Sequence, residues 1–299
     1  MTCQIESDWI ATLARGEVPN ADSLKEHLLA VHREHAGFTE HCAGRCRDDA
    51  GRTSYDWLAE LLGEGVRGRQ RILDLACGSG PLLSVCADRQ PHCDLVGIDM
   101  SLDELSLART RLGPRPVTLH HAMAQDMPMV ETESVDVVLC HWALTLMAPL
   151  EPVLSEVARV LRRGGLFAAI VDGPPDIAPG YTAVDDTIFE AVARVAPLYG
   201  SVDLGDPRVR NANTLRSLAR SAFPEAEICI EPSVMKLKGP PQELASEALG
   251  FFYASFVLAP EHRAILLEEL SSQFERRLED CIATFSLPVS RLMVRLPPG

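Results

Sequence analysis

The sequence predicts an α/β protein with a doubly wound, mostly parallel seven-stranded sheet, an N-terminal helical cap and further inserted helices. Two observations predict the sheet: short apolar runs alternate with amphipathic helices between residues 69 and 172, and a glycine-rich turn follows the first of these runs. Helical periodicity predicts the cap. With 299 residues, the chain is long enough to bury a core of this kind.

The first 64 residues show helical periodicity. Apolar residues recur three or four positions apart, as at Leu24, Leu28 and Val31. We therefore expect an N-terminal helical cap at residues 1–64, followed by an α/β domain at 65–299. The histidines of the first segment are expected on a solvated face; they are His27, His32, His35 and His41.

Seven strands are expected in the α/β domain. They are predicted at residues 71–76, 94–99, 117–121, 135–140, 166–171, 226–237 and 285–296. Helices are predicted at 81–89, 102–112 and 152–162, and helical insertions near 173–225 and 238–282. Pro288 in the last run indicates an edge strand or a bulge, because proline cannot donate a hydrogen bond to a neighbouring strand.

The charge of the chain argues against nucleic acid as a partner. Asp and Glu number 42 against 28 Lys and Arg, which gives a formal net charge of −14. Proteins that bind nucleic acid normally present a basic face to the phosphates. No apolar run is long enough to cross a bilayer and no basic region precedes an apolar one at the N-terminus, so we expect a cytoplasmic protein without a membrane partner.

The cysteines predict buried thiols rather than disulfides or a metal site. Most of the nine lie in apolar surroundings, as Cys77 and Cys140 do, which suits reduced thiols in a core. The group from His41 to Cys46 is the one cluster with metal-like spacing. It lacks the second spaced pair of a structural zinc site, so no metal is expected.

The segment from Asp74 to Gly80 carries the strongest chemical signal. Its glycines let the backbone approach a ligand and place amide groups at the start of a helix. A dinucleotide site would need a third glycine where Leu83 stands, and a phosphate-binding loop would need a lysine. Asp74 would repel a phosphate but attract a sulfonium or an ammonium group.

Asp99 ends the second predicted strand and can accept hydrogen bonds from both hydroxyls of a ribose. A loop that avoids phosphate beside such an acid indicates a nucleoside that carries positive charge. The alternative is structural: Asp74 caps the loop, and Asp99 caps the following helix through Ser101 and Asp103.

The segment Asp74-Leu-Ala-Cys-Gly-Ser-Gly80 resembles the glycine-rich motif of class I S-adenosylmethionine-dependent methyltransferases of the small-molecule, natural-product type, with Ala76 in place of the first glycine. The resemblance continues through Asp99 and through residues 122–128, 135–141 and 161–165, and covers about residues 69–172. It implies a Rossmann-like methyltransferase fold and S-adenosyl-L-methionine as the cofactor.

The resemblance also assigns cofactor-binding residues. It implies that the loop holds the methionine part, that Asp99 binds the ribose and that Met100 covers one face of the adenine. Many relatives have an acid where Met123 stands, so the adenine amino group would need Gln125 or a backbone carbonyl. The cofactor-binding residues implied are Asp74, Ala76, Cys77, Gly78, Gly80, Asp99, Met100, Met123, Ala124, Gln125, Cys140 and His141.

His141 is the candidate catalytic residue. A histidine at the C-terminal end of a strand faces the crevice in which doubly wound folds bind ligands, where it would serve as a base for a phenol or an acidic carbon. A packed, neutral imidazole is the alternative. Candidate substrate contacts lie in the preceding helix and the insertions, with packing in the core or an interface as the alternative; they are Arg52, Tyr55, Tyr181 and Tyr253.

These observations predict transfer of a methyl group to a small-molecule acceptor, such as an intermediate of natural-product biosynthesis. The helical segments at 1–64, 173–225 and 238–282 are expected to cover the site and exclude water. Two alternatives stay open: an enzyme that uses the cofactor for cyclisation or decarboxylation, and a non-catalytic binding protein. A homodimer is one possible assembly.

Overall fold

A computed structural model describes residues 5–63, 69–199, 202, 204–278 and 282–299. The chain divides into two compact units, and the boundary predicted between residues 64 and 65 lies outside the described residues. Unit 1 consists of Met1–Gly51, Pro175–Asp203 and Val234–Pro288. Unit 2 consists of Arg52–Pro174, Leu204–Ser233 and Val289–Gly299.

The sheet has seven strands in the order β3-β2-β1-β4-β5-β7-β6. The strands are β1 Arg71–Leu75, β2 Asp94–Asp99, β3 Val117–His121, β4 Val135–His141, β5 Leu161–Asp172, β6 Glu227–Gly239 and β7 Ala283–Arg295. Strands β1 to β5 pair in parallel, and β7 runs antiparallel to β5. The predicted doubly wound, mostly parallel sheet of seven strands is confirmed.

Strand β7 lies between β5 and β6, so the edge position that Pro288 suggested is wrong. The paired residues of β7 and β5 explain how the proline is tolerated. Pairing runs from Arg295, opposite Leu166, to Val289, opposite Asp172. Pro288 comes just before this paired stretch, so its missing N–H removes no hydrogen bond from it.

Eleven α-helices are present in the described parts of the chain. They are α1 Asp8–Ala14, α2 Ala21–Glu34, α3 Phe38–Ala43, α4 Ser54–Ala59, α5 Pro81–Arg89, α6 Leu102–Leu112, α7 Glu151–Val160, α8 Tyr181–Val195, α9 Ala212–Ala222, α10 Pro241–Phe251 and α11 Pro260–Glu275. Short 3-10 turns lie at Leu144–Leu146, Pro175–Ile177, Pro207–Arg210 and Tyr253–Val257.

The sequence explains where the helices of unit 2 begin. Thr53 and Asp56 form a reciprocal capping box at the start of α4, and the Ser101 hydroxyl accepts the Glu104 N–H at the start of α6. Pro81 occupies the first turn of α5, where its missing N–H costs no helical hydrogen bond.

The core of unit 2 fixes the ends of the parallel strands. Leu73, Val138 and Phe167 from adjacent strands are fully buried together with Val157 of α7 and Leu215 of α9. Each such side chain contributes about 1.5–3 kcal/mol by leaving water. The strand ends are therefore set by a rigid framework, which is what a ligand site needs.

Unit 1 has its own packed groups, and one of them corrects a sequence-based expectation. His27 is fully buried: its ring stacks on Trp9 at 4.8 Å between centroids, and its Nδ1 lies 3.0 Å from the Ser7 Oγ. Burial lowers the pKa of His27 to about 4. The expectation that this histidine lies on a solvated face is therefore wrong, whereas His41 is exposed.

Membrane-spanning helices and clusters of metal-binding side chains are two features that the described residues lack. None of their helices combines the length and the apolar character needed to span a membrane. Within the same residues, histidine, cysteine and acidic side chains form no group of three or more that could hold a metal ion.

Candidate cofactor and active site

Three strand ends bring the predicted site residues of unit 2 to one edge of the sheet. Asp74 in β1 pairs with Gly97 in β2 and with Leu139 in β4. Ala76, Asp99 and His141 lie two residues after Asp74, Gly97 and Leu139, respectively. Because the strands are parallel, these residues reach the same level at the C-terminal edge, where doubly wound sheets bind ligands.

The loop after β1 takes a left-handed backbone conformation at Ala76, Gly78 and Gly80, with φ angles of 57°, 52° and 79°. At Gly80 a Cβ atom would also lie 3.2 Å from the Ala108 Cβ, so the neighbouring helix would have to shift by a few tenths of an ångström. At Gly78 a Cβ would meet only ordinary contacts, so the backbone angle alone favours glycine there.

Asp99 is a buried acid that fixes both the loop and the next helix. Its Oδ2 accepts the Gly78 N–H at 2.8 Å, and its Oδ1 accepts the Ser101 N–H at 2.8 Å. The structural alternative for Asp99 is thus confirmed in part, because the residue orders the start of α6. A carboxylate oxygen can accept more than one hydrogen bond, so this anchoring is compatible with the ribose role, which stays a prediction.

Asp74 is buried and unsatisfied. Its side chain is 1 % exposed, and neither carboxylate oxygen has a hydrogen-bond partner among the groups that the structure describes. Burial, and secondly the charge of Asp99, raise the pKa of Asp74 well above its ordinary value. Because no described loop amide donates to it, Asp74 does not cap the loop. A buried acid of this kind is costly unless a cation joins it.

The segment expected at the adenine edge lies against the end of β2. The Ala122 N–H donates to the Asp99 carbonyl at 3.1 Å, and the Asp126 N–H donates to the Met123 carbonyl at 3.0 Å. In this turn Ala124 is buried and Gln125 is exposed. Next to it, the Met100 carbonyl lies 3.0 Å from the His121 Nε2. The structure therefore brings Met100, Met123, Ala124 and Gln125 to the same strand end as Asp99.

At the end of β4, Cys140 is fully buried, and His141 is partly exposed and contacts two aromatic rings. Desolvation raises the pKa of Cys140 to about 12 and lowers the pKa of His141 to about 3. The His141 Nε2 lies 2.8 Å from the Ser54 Oγ, and its ring stacks on Tyr55 at 3.9 Å between centroids. With this pKa the imidazole of His141 is neutral at pH 7, and its ring packs against Tyr55. Both findings favour a packed, neutral imidazole over a catalytic base.

The four candidate substrate contacts lie in both units. Tyr55 stands beside His141 in unit 2, and the Arg52 guanidinium donates to the Glu60 carboxylate at 2.6 Å. In unit 1, Tyr181 stacks on Phe252, and the Tyr253 hydroxyl lies 2.9 Å from the His32 Nε2. The structure thus brings Tyr55 to the sheet edge. Arg52 pairs with another residue of unit 2, and Tyr181 and Tyr253 contact residues of unit 1.

Three residues at this edge escaped the sequence analysis. They are Ser54, Trp142 and Asp172. The Trp142 indole N–H donates to the Asp172 Oδ1 at 2.8 Å, and Trp142 has a left-handed φ of 55°. The location of Trp142 and Asp172 at the C-terminal ends of the fourth and fifth strands was a usable signal. No local pattern marks Ser54, which is 87 positions from His141.

A family model matches part of unit 2. Residues 73–169 match the family Methyltransf_11, described as "Methyltransferase domain". Over these residues the chain is similar to a methyltransferase domain. This match coincides with the segment on which the sequence resemblance rests and confirms that resemblance.

The chain is also similar to curated methyltransferases over part of its length. The chain is 34% identical over 125 residues to the demethylmenaquinone methyltransferase of Symbiobacterium thermophilum, covering 40% of this chain and 49% of that one. It is 29% identical to that of Thermus thermophilus, covering 58% and 82%. It is 32% identical to the ubiquinone biosynthesis O-methyltransferase of Aeromonas salmonicida, covering 40% and 50%. The chain spans about half the length of the first and third.

Solved structures confirm the methyltransferase fold. The phosphoethanolamine N-methyltransferase 2 of Haemonchus contortus, solved with phosphomonomethylethanolamine and S-adenosylhomocysteine, has a TM-score of 0.56 at 15% identity and covers 94% of this chain and 61% of its own. The [4+2]-cyclase SpnF has a TM-score of 0.55 at 18% identity, with 94% and 98% covered. At these identities the likeness extends to the fold.

Proposed function

We propose that this chain binds S-adenosyl-L-methionine and transfers its methyl group to a small-molecule acceptor. The observation that carries the proposal is Asp74, a buried carboxylate to which no described residue donates a hydrogen bond, next to a loop of left-handed residues. The methyltransferase domain and the relatives that methylate quinone precursors or take part in ubiquinone synthesis support it.

The chemistry of Asp74 fits this cofactor. S-adenosylmethionine carries a sulfonium and an ammonium group, and either would compensate the charge of a carboxylate that receives no hydrogen bond from the described residues. A phosphate in the same place would be repelled. Asp74 would therefore hold the cationic methionine part. Asp99, on the neighbouring strand and two residues beyond the partner of Asp74, would hold the ribose.

The remaining cofactor contacts follow from position. The backbone of Ala76, Cys77, Gly78 and Gly80 would border the methionine part, because left-handed residues there turn the loop tightly around the strand end. The segment formed by Met100, Met123, Ala124 and Gln125 would border the adenine. On the other side of β1, Cys140 and His141 would border the transferable methyl group.

When bound, the cofactor supplies an activated methyl group for an in-line displacement. The chain contributes alignment of the acceptor and exclusion of water, which can supply about 7–11 kcal/mol. The general-base role proposed for His141 requires that its pKa rise when an acceptor binds. With a pKa of about 3 the ring takes up a proton poorly at pH 7.

The acceptor class and cellular setting are the finer parts of the proposal. We propose an intermediate of secondary metabolism as the acceptor and the cytoplasm as the site of action. The relatives named for quinone biosynthesis support a small organic acceptor, and the net charge of −14 is unfavourable for a nucleic acid. We also propose that the helical segments form the cap expected from the sequence.

Product analysis tests methyl transfer. The protein is incubated with S-adenosylmethionine and a panel of phenols, hydroquinones, amines and thiols, and products are analysed by mass spectrometry. A product heavier by one methylene, with one S-adenosylhomocysteine formed for each, supports the proposal. A rearranged or decarboxylated product with the cofactor unconsumed would replace methyl transfer by one of the other chemistries.

A further inference from the structure

The two acids of the proposed cofactor site define the side from which an acceptor approaches. Asp99 lies at the end of β2, and Asp74 lies in β1, the adjacent strand. Strand β4 is on the opposite side of β1 from β2. If the nucleoside lies over β2, the reactive end of the cofactor points toward β4 and β5. The residues that end these two strands are then the ones that meet the acceptor; this step rests on the proposed function.

The end of β4 presents an aromatic wall made of Tyr55, His141 and Trp142. The Tyr55 and His141 rings stack at 3.9 Å, and the His141 and Trp142 rings meet edge to face at 5.5 Å and 87°. Tyr55 is buried, whereas His141 and Trp142 are partly exposed. Because desolvation lowers the pKa of His141 to about 3, its ring is uncharged at pH 7.

The backbone conformation of Trp142 indicates that the aromatic wall has a role beyond packing. A bulky residue with a φ of 55° is a conformational outlier, and such residues persist only where their surroundings hold them. The Trp142 N–H donates to the Ile170 carbonyl at 2.9 Å, and its indole N–H donates to the Asp172 Oδ1 at 2.8 Å. Asp172 thus acts as a positioning residue that fixes the indole plane.

We propose that the aromatic wall receives a planar aromatic or conjugated acceptor and that Trp142 determines this specificity. A flat ring gains from stacked or edge-to-face contact with such side chains, and a saturated molecule of the same polarity does not. Trp142 has not been assigned a role by the sequence or by the comparisons.

Charge argues against a cationic acceptor at the same place. Aromatic rings beside a carboxylate can also bind cations. Here the Asp172 carboxylate already receives the Trp142 N–H, and the Arg210 Nε lies 3.7 Å from its Oδ2. The positive charge of the cofactor would further repel a cation. An uncharged planar molecule is therefore the occupant that fits.

Fluorine NMR of protein labelled with 5-fluorotryptophan tests the proposal. The chain has three tryptophans, Trp9, Trp57 and Trp142, and the Trp142→Phe variant assigns the third signal. Protein saturated with S-adenosylhomocysteine is titrated with 2-naphthol, with its saturated analogue decahydro-2-naphthol and with cyclohexylamine as the cationic probe. We expect 2-naphthol to shift the Trp142 signal and to bind about fivefold to tenfold more tightly than the saturated alcohol.

Variants separate specificity from folding. Trp142→Leu should abolish the preference for 2-naphthol, Trp142→Phe should retain most of it, and Asp172→Asn should weaken it. Trp57→Phe, a change outside the aromatic wall, should leave the preference for 2-naphthol unchanged. In all variants, calorimetry with S-adenosylhomocysteine should give the wild-type affinity, which shows that the site is folded.

Several results would overturn the inference. They are equal binding of the two alcohols, tighter binding of cyclohexylamine, binding of 2-naphthol that leaves the Trp142 signal unmoved, and no binding of any probe at millimolar concentration. If S-adenosylhomocysteine binds in these experiments, the proposed function survives and the aromatic specificity alone fails. If S-adenosylhomocysteine does not bind, the proposed function itself fails.

Discussion

Asp99 accepts the Gly78 N–H at 2.8 Å, so the acid proposed to bind the ribose also fixes the loop proposed to bind the methionine part. The same carboxylate holds the Ser101 N–H at the start of α6. One side chain therefore sets the distance between two halves of the proposed cofactor site. A change at Asp99 is expected to affect both.

Replacing Asp99 by alanine should weaken cofactor binding by about 1–3 kcal/mol, because the ribose hydroxyls and the Gly78 amide lose a common acceptor. Titration calorimetry with S-adenosylhomocysteine measures the change. Asp103→Ala provides a matched control, since this acid is exposed on the first turn of α6. Unchanged affinity in Asp99→Ala would remove the ribose assignment.

Replacing Gly78 by valine should abolish cofactor binding and leave most of the fold intact. The residue has a φ of 52° with no close neighbour, so the penalty falls on the backbone of the loop rather than on the core. Circular dichroism measures whether the fold is retained, and calorimetry measures cofactor binding. Gly16→Val is the control, because Gly16 also has a left-handed φ and open surroundings, in unit 1. Near-normal binding by Gly78→Val would mean that the loop is misidentified.

Replacing Asp74 by asparagine should stabilise the cofactor-free protein at neutral pH. The pKa of Asp74 is raised in the folded state above its ordinary value of 3.8, so the folded chain holds this proton more firmly than the unfolded chain. Wild-type stability therefore falls as pH rises from 3.8 through the raised pKa, and the asparagine variant lacks this loss.

Thermal denaturation between about pH 5 and about pH 8 measures this difference. We expect the Tm of Asp74→Asn minus that of the wild type to grow with pH and then level off. Asp88→Asn, the same substitution at an exposed acid, is the matched control. A difference that is constant with pH would contradict the unsatisfied, buried state of Asp74.

The imidazole of His141 should not titrate between about pH 5 and about pH 8 in the cofactor-free protein, because desolvation lowers its pKa to about 3. Carbon-13 NMR of labelled histidine, with His141→Gln to assign the signal, measures the titration. A midpoint near the ordinary value of 6.5 would show that the ring is solvated and available as a base.

The strands and helices of residues 71–172 could be predicted because each is marked by local signals. The predicted bounds of α5, α6, β2 and β3 agree with the structure, since proline, serine and glycine mark their ends next to apolar periodicity. The glycine loop and Asp99 were found in the same way. The helical cap has no such local mark of its position, and its covering role stays a prediction.

The features that the sequence did not reveal depend on pairs that are far apart in the chain. Ser54 and His141 are separated by 87 positions, and Trp142 and Asp172 by 30. The place of β7 inside the sheet likewise follows from pairing with β5 rather than from its own residues. Burial of His27 results from stacking on Trp9, and no periodicity in the sequence indicates that contact.

Calorimetric titration of S-adenosylmethionine into wild-type protein and into Asp74→Asn tests whether Asp74 holds the cationic part of the cofactor. We expect a single site in the wild type. We also expect affinity that falls as pH is lowered, because protons compete with the cation for the Asp74 carboxylate, and a large loss of affinity in the variant. Failure of the wild type to bind, or equal and pH-independent binding by both proteins, would contradict this role of Asp74.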